Sequence, residues 1–291
     1  ERLPHAAADG TIGPRTPRWD EVERVIRDRA QKRPDQPLAE PRWRPIGPFG
    51  WDVMAVSATG SMGIGVVRTH CIDRTDRQLI LAGTISSGIW RSTDAGRTWT
   101  NVALEHPIQS VRRIVMSGSN VYAATDAGLY ESRDRGQTFR RVTLRGDDAL
   151  TNAVGIDMVA VAPTDDRRLV IATLNRLFVS VNGGQTFSSA SNLQGTWWDL
   201  QWHPTRNDLA FALVQRGGHI TFVRSTSAGV KFDSVGAGYP ERSATRTMAR
   251  AAIGLSARDP KFVSVLIGGS IRDSVGGVYG LYVSRDEGST F

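Results

Sequence analysis

The stretch Gly88–Trp99 reads G-I-W-R-S-T-D-A-G-R-T-W, and its pattern recurs along the 291-residue chain. Similar stretches are G-L-Y-E-S-R-D-R-G-Q-T-F at Gly128–Phe139, R-L-F-V-S-V-N-G-G-Q-T-F at Arg176–Phe187 and G-L-Y-V-S-R-D-E-G-S-T-F at Gly280–Phe291. A divergent copy, F-V-R-S-T-S-A-G-V-K-F, occupies Phe222–Phe232. The serines of successive copies are 40, 48, 45 and 59 residues apart. A strand–turn–strand unit with a period near this length is typical of β-propeller blades.

The sequence therefore predicts an all-β chain, a β-propeller of four-stranded antiparallel blades. Five blades are visible, either as a small ring or as part of a longer propeller. The expected inner strands lie near Val66–Ile72, Val111–Ser117, Val154–Ala162, Trp197–His203 and Arg250–Ala257.

Each clear copy of the repeat carries a serine, a turn acceptor, a glycine and an aromatic residue. These residues are Ser92, Asp94, Gly96 and Trp99; Ser132, Asp134, Gly136 and Phe139; Ser180, Asn182, Gly184 and Phe187; and Ser284, Asp286, Gly288 and Phe291. Asp and Asn side chains accept hydrogen bonds from backbone N–H groups of their own turn, and glycine supplies a positive φ. The aromatic residue is expected to pack between neighbouring sheets. Because the pattern repeats, we interpret these residues as structural rather than catalytic.

The pattern Ser-x-Asp-x-Gly-x-Thr-Trp/Phe resembles the Asp-box, or bacterial neuraminidase repeat, over about residues 43 to 291. That repeat occurs in sialidases, xyloglucan-cleaving glycosidases, sortilin-type receptors, photosystem assembly factors and secreted bacterial propellers. In those families it forms a hairpin between the two outer strands of a blade, remote from the functional face. The resemblance implies a fold more strongly than it implies a function, because function depends on sites added to the fold.

The chain carries a formal net charge of +7 and a single cysteine, Cys71, so an internal disulfide is excluded. A basic surface favours acidic partners, among them an acidic glycan or an acidic protein face. No nucleic-acid-binding motif is visible, and the five histidines lack metal-ligand spacing, so we predict neither nucleic acid, metal nor cofactor binding. No apolar run is long enough for a transmembrane segment.

Residues 1–42 are predicted to form an extended arm with a helix at about residues 18–32, followed by the propeller at 43–291. A lone helix of this length is marginal in water, so it is expected to dock on the propeller or on a partner. Trp43–Gly47 resembles the outer strand that follows each turn of the repeat, and such a strand could complete the last blade. The chain begins at Glu1, which fits a processed export signal and equally fits a trimmed chain.

A glycoside hydrolase is the alternative function, and it needs two carboxylates across a cleft. Asp52, Asp157 and Asp199 are the candidates, and Trp51, Trp197, Trp198 and Trp202 could form a ligand face that stacks on sugars. The competing interpretation makes these tryptophans packing residues and the aspartates loop caps. The arginine motif R-I-P of sialidases is absent, and Thr84–Gly88 lacks the carboxylate of the xyloglucanase motif D-V-G-G.

We therefore interpret the sequence as an exported, non-catalytic binding or scaffolding propeller of an envelope or extracellular assembly. It would act in the periplasm, at the cell surface or outside the cell, and would reach a protein partner through its arm. A sialidase-like or xyloglucanase-like hydrolase is the alternative.

Overall fold

The computed structural model describes residues 66–291 except 148–149, 151–154, 174, 191–192, 236, 243–245 and 272–276. The regular elements of this described part are nineteen strands, grouped in five antiparallel sheets. The predicted all-β propeller fold is confirmed. The predicted arm, its helix and the strand at Trp43–Gly47 lie outside the described residues.

Each sheet is one blade, and its strands follow the order of the chain from the propeller axis outward. Blade 1 comprises β1 (Val67–Ile72), β2 (Ile80–Thr84), β3 (Ile89–Ser92) and β4 (Thr100–Asn101). Blade 2 comprises β5 (Val111–Ser117), β6 (Asn120–Thr125), β7 (Gly128–Ser132) and β8 (Arg140–Arg141). Blade 3 comprises β9 (Met158–Val161), β10 (Leu169–Thr173), β11 (Arg176–Ser180) and β12 (Ser188–Ser189). Blade 4 comprises β13 (Thr196–Trp202), β14 (Ala210–Arg216), β15 (His219–Ser225) and β16 (Asp233–Ser234). Blade 5 comprises β17 (Arg246–Leu255), β18 (Val263–Ile271) and β19 (Gly277–Ser284).

Apolar side chains fill the spaces between successive blades. The second strands β2 and β10 read I-L-A-G-T and L-V-I-A-T and are buried at every position, since each is covered on both faces. Four hydrophobic clusters lie between blades 1 and 2, 2 and 3, 3 and 4, and 4 and 5. The aromatic residue of each later repeat belongs to the cluster shared with the preceding blade, as Phe139 and Phe187 show. Trp99, in the first blade, is only half-buried.

A buried serine hydroxyl organises each repeated turn. In blade 1, Ser92 Oγ accepts a hydrogen bond from the Gly96 N–H at 2.8 Å and donates one to Asp94 Oδ1 at 2.8 Å. Asp94 in turn accepts from the Thr98 N–H and hydroxyl at 2.8 and 2.6 Å. These bonds lower the pKa of Asp94 to about 2. All five repeats keep the serine–glycine bond, including the divergent one, where Ser225 accepts from the Gly229 N–H at 3.0 Å.

The turn needs two successive residues with positive φ. The residue before each repeated glycine also has a positive φ, whatever side chain it carries. These residues are Ala95, Arg135, Gly183, Ala228 and Glu287, with φ of 58°, 58°, 71°, 54° and 58°. A non-glycine residue is uncommon in this region, so the hydrogen bonds of the turn must compensate for its strain.

Two of these left-handed residues tie their blade to the preceding one. Arg135 of blade 2 donates to Asp73 of blade 1 at 2.6 Å. Glu287 of blade 5 accepts from Arg206 of blade 4 at 2.6 Å. In blades 2 and 5, the side chain at this turn position therefore links its blade to the preceding one.

Blade 5 differs from the other four because it has three strands within the described residues. The face that it turns away from blade 4 carries exposed apolar side chains. These are Leu266, Val278, Leu281 and Val283, with exposed fractions of 50%, 73%, 62% and 38%.

Replacing the turn serine should destabilise the fold. In Ser180→Ala, the buried Gly184 N–H loses its acceptor, so we expect the free energy of unfolding to fall by about 1 to 3 kcal/mol. Ser188→Ala, at an exposed serine of the same blade, should change it by no more than about 0.5 kcal/mol. Urea denaturation measures both, and equal effects would contradict the role given to Ser180.

Acidification should destabilise the contact between blades 4 and 5. His203 is buried, its Nε2 lies 3.0 Å from the Pro260 carbonyl, and its Nδ1 lies 3.3 Å from the Thr205 N–H. Burial lowers its pKa below the ordinary 6.5, so below pH 6.5 the unfolded state takes up the proton first. The free energy of unfolding should therefore fall as the pH drops from about 6.5.

The fall in the free energy of unfolding on acidification should be smaller in His203→Gln, because an amide side chain does not take up a proton in this pH range. His70→Gln, at an exposed histidine, is the matched control. Denaturation curves at several pH values between 7.5 and 5 measure how the free energy of unfolding depends on pH. The same dependence in His203→Gln as in the wild type would refute the role given to His203.

Candidate functional site: the central channel

The inner strands of blades 1 to 4 line an open cavity of about 720 Å³ near the propeller axis, which we call the channel. Strands β1, β5, β9 and β13, from blades 1 to 4, form its walls. Its apolar lining includes Ile72, Val115 and Met116, and its polar lining includes Arg113 and Gln201. The channel is thus a concave site of the size in which proteins hold ligands.

Asp199 connects three blades beside the channel, next to the lining residues Leu200 and Gln201. It lies on β13 at a register shift of the β13–β14 pair and is only 4% exposed. Its Oδ1 lies 3.3 Å from the Arg113 guanidinium of blade 2, and its Oδ2 accepts the Ile253 N–H of blade 5 at 2.8 Å. Gln201 donates to the same Oδ2 at 3.1 Å, and the Leu200 N–H donates to Oδ1 at 2.9 Å. Four donors thus surround a single carboxylate.

Asp157 forms an ion pair with a different arginine. It precedes β9, and the guanidinium of Arg112 donates to its Oδ1. Both side chains are partly exposed, at 27% for Asp157 and 37% for Arg112. The two adjacent arginines of β5 therefore bind two different aspartates, one in blade 3 and one in blade 4. These arginines were not predicted to be functional; the signal was the adjacent pair Arg112 and Arg113 in a strand whose other residues, apart from Ser117, are apolar.

The remaining charges of the channel are mainly basic. Arg68 and Arg74 line it at the two ends of β1, and both are exposed. No carboxylate of the described residues lies within ion-pair distance of either guanidinium. The acidic side chain in the lining is Asp73, which already binds Arg135. The channel therefore presents a net positive charge to a ligand.

The predicted tryptophans do not form one surface. Trp197 and Trp202 are 4% and 7% exposed and belong to the hydrophobic cluster between blades 3 and 4. Trp198 packs against the cluster between blades 4 and 5, and its indole N–H donates to Gln215 at 2.8 Å. Their positions support the packing interpretation. Asp52 and Trp51 lie outside the described residues.

Cys71 lines the channel, but burial raises the pKa of its thiol to about 12. Such a thiol is a poor nucleophile at neutral pH. In the described part of the chain, His, Cys, Asp and Glu side chains form no group of three that could hold a metal ion. Within the same residues, no helix is both long and apolar enough to cross a bilayer.

No family model and no curated protein matches the chain. Solved structures with similar folds include a GH74 xyloglucanase from Xanthomonas campestris, with a TM-score of 0.59 at 17% identity over 77% of this chain and 37% of that one. YCF48 from Cyanidioschyzon merolae gives a TM-score of 0.52 at 12% identity over 75% of this chain and 71% of that one. An outer-coat chain of COPII on membranes gives 0.54 at 8% identity over 80% of this chain and 66% of that one.

These likenesses concern the fold alone, because all the identities are low. The chain spans about a third of the length of the first GH74 enzymes that it matches. Enzymes and non-enzymatic proteins share the architecture. The resemblance to Asp-box proteins therefore rests on the repeated motif.

Removing the carboxylate of Asp199 should strongly destabilise the propeller. Asp199→Ala leaves the Arg113 charge and the Ile253 N–H without their acceptor, and breaking a buried pair costs about 3 to 5 kcal/mol. In Asp157→Ala the partners are partly exposed, so the loss should be about 1 kcal/mol or less. Chemical denaturation measures both losses, and the reverse order would contradict the structural role of Asp199.

Proposed function

We propose that this chain is an exported, non-catalytic binding propeller that serves as a scaffold in an envelope or extracellular assembly, with an acidic segment of a protein partner held in its central channel. The observation that carries the proposal is which charged side chains of the channel are already paired within the propeller and which are not. The carboxylate of its lining, Asp73, is bound by Arg135, whereas neither Arg68 nor Arg74 has a carboxylate of the described residues within ion-pair distance; Arg74 donates only to the Pro204 carbonyl, at 3.4 Å.

The bonding of Asp199 supports a non-catalytic role. A glycoside hydrolase requires one carboxylic acid that donates a proton and one carboxylate that attacks or activates water. Asp199 is buried and surrounded by four donors, which occupy the acceptor sites that such chemistry would need. The other candidate, Asp157, is bound by Arg112.

The shape of the channel favours an extended acidic segment. Arg68 and Arg74 stand at opposite ends of β1, a six-residue strand, which corresponds to about 20 Å. A peptide of about six residues in extended conformation covers this distance. Carboxylates near its two ends could then pair with the two arginines, while its middle contacts Ile72, Val115 and Met116.

Solved structures of two propellers with a similar fold support the proposal of a protein partner. One solved structure is of YCF48 bound to the D1 peptide, with a TM-score of 0.50 at 15% identity, and others belong to the COPII coat assembled on membranes. The predicted arm at residues 1–42 would provide a second attachment to the assembly, and an acidic glycan is the other ligand that the basic charge favours. Export and placement at the envelope belong to the same proposal.

Binding of defined peptides tests the channel. The full chain should bind a fluorescein-labelled hexaglutamate peptide, with fluorescence anisotropy as the readout, and the affinity should fall as salt increases. The double variant Arg68→Gln/Arg74→Gln should weaken binding at least tenfold. Arg77→Gln, at an exposed arginine outside the channel lining, should leave it unchanged. Equal binding of a hexaglutamine peptide, or equal loss in all variants, would overturn the channel site.

The hydrolase remains the second candidate because GH74 enzymes share the fold. Incubation with a glycan panel, followed by assays for reducing sugar and sialic acid, tests it. Release that Asp157→Asn abolishes while the protein stays folded would overturn the scaffold function. No release from any glycan would support it.

A further inference from the structure

A second cavity lies between blades 2 and 3. Its volume is about 300 Å³, at the lower end of the sizes in which proteins hold small molecules. Asn120 and Arg133 border it from blade 2, and Asp166, Gly183 and Gln185 border it from blade 3. It shares no lining residue with the channel, so it is a separate site within the described part of the chain.

Two other joints between blades carry a side chain at the left-handed position of the turn. Between blades 1 and 2, Arg135 binds an aspartate of blade 1, and its carbonyl accepts from Arg91 at 3.1 Å. Between blades 4 and 5, Glu287 binds an arginine of blade 4, and its carbonyl accepts from Arg224 at 3.4 Å. Arg91 and Arg224 each precede the buried serine of their repeat by one residue.

The joint between blades 2 and 3 lacks both contacts. Its left-handed residue is Gly183, which has no side chain, and the residue equivalent to the two donating arginines is Glu131, a buried acceptor. A Cβ atom at Gly183 would meet no other atom of the described residues within 4 Å. The space that a charged side chain takes at the other two joints is therefore open at this one.

Two arginines bring positive charge to this cavity from different blades. The side chains of Arg133 and Arg167 are 65% and 72% exposed. Arg133 lies 3.8 Å from Glu131 and Arg167 lies 3.4 Å from Asp165, but each of these carboxylates also binds a second arginine. Because a guanidinium carries five N–H donors, both arginines keep donors for a ligand.

The other polar groups of the cavity are amides and a single carboxylate. The repeated turn of blade 3 has Asn182 where three other copies have an aspartate, so it adds no negative charge. Gln185 adds an exposed amide. In the described lining the one carboxylate is Asp166, whose Oδ2 accepts from the Asn120 amide at 2.6 Å. Its Oδ1 can therefore accept from a hydroxyl group of a ligand.

These groups call for a ligand that carries both an anionic group and hydroxyl groups. A simple anion would pair with the arginines but would leave Asp166 without a donor and be repelled by it. A neutral sugar would satisfy Asp166 and leave the arginine charges unpaired. A sugar ring that bears one carboxylate meets both requirements.

We propose that the cavity between blades 2 and 3 binds a hexuronate. The carboxylate of the sugar pairs with Arg133 and Arg167, and its hydroxyls donate to Asp166 and bond with Gln185. A free hexuronate and a hexuronate residue of a glycan present the same groups to this site. The site goes beyond the peptide channel of the proposed function and does not depend on it.

Nuclear magnetic resonance of the full chain tests the ligand class. Methyl β-glucuronide and free glucuronate should shift the Gly183 and Gln185 amide resonances in a saturable manner. Methyl β-glucoside lacks the carboxylate and acetate lacks the hydroxyls, so each should bind at least tenfold more weakly. Equal affinity for all of these ligands, or no saturable shift with either hexuronate, would overturn the proposal.

The two hexuronate probes distinguish the sources of the ligand. The anomeric carbon of the methyl glycoside is blocked, as it is in a glycan. Binding of both probes would support a site that accepts a glycan residue, and binding of the free sugar alone would support a site for the monosaccharide.

Variants of the arginines test their part in binding. Arg133→Gln and Arg167→Gln should each weaken the binding of glucuronate at least fivefold. Arg97→Gln is the matched control, since Arg97 is exposed and occupies in blade 1 the repeat position that Gln185 occupies in blade 3. It should leave the affinity unchanged. Equal loss in all three variants would show an effect of overall charge and overturn the site.

Filling the open position provides an independent test. Gly183→Glu places at this turn the side chain that blade 5 carries at Glu287, so it should occupy the cavity, pair with its arginines and abolish the glucuronate-induced shift of the Gln185 amide. Gly183→Ala is the control for backbone strain, because Ala95 adopts the same conformation in blade 1, and it should bind as the wild type does.

Melting curves establish that both Gly183 variants are folded. Undiminished binding by folded Gly183→Glu would overturn the proposal, and if that variant fails to fold, the two arginine variants decide. Binding of hexaglutamate to the channel should be the same in Gly183→Glu as in the wild type, so the two sites can fail separately.

Discussion

The propeller depends on one hydrogen-bonded group, the serine hydroxyl buried at the end of the third strand of each blade. Five serines, all at most 2% exposed, accept the N–H of the glycine four residues later. That N–H is enclosed by the turn and would be unsatisfied without them. The acidic residue of the motif is more variable: Asn182 and Ser227 replace it in blades 3 and 4 and still accept from the backbone. The serine is the constant element, and the aspartate reinforces it.

The fold could be predicted because the repeat encodes local structure. Strand β5 begins and ends where predicted, at Val111 and Ser117, since turn residues follow it at once. β17 starts earlier than predicted, at Arg246, because it pairs along its length with the nine-residue β18, through a register shift after Met248. The left-handed residue before each glycine was also not predicted. Ala95 and Glu287 carry no sign of it, because the turn imposes the conformation on whichever residue stands there.

The site was harder to predict because its contacts are long-range. Asp199 was a candidate for catalysis, yet its partner Arg113 lies 86 residues earlier in the chain and two blades away. Local patterns do not reveal such a pair. The tryptophans were ambiguous for a related reason: a large aromatic side chain on an inner strand serves equally well in a sugar site and between two sheets. Only the position of the neighbouring blade distinguishes the two roles.

At the left-handed position of the turn, the backbone serves the folding of the hairpin and the side chain serves the contact with the neighbouring blade. Its backbone is fixed by the serine and glycine, but its side chain is unconstrained: alanine in blades 1 and 4, glycine in blade 3, arginine in blade 2 and glutamate in blade 5. A mutation there can change the attraction between two neighbours while both keep their own turns. In evolutionary terms, a duplicated blade would inherit the hairpin whole, and this position could then change to suit its new neighbour while the apolar contacts hold the two blades together. The five repeats of this chain already show that the hairpin tolerates four different residue types at this position.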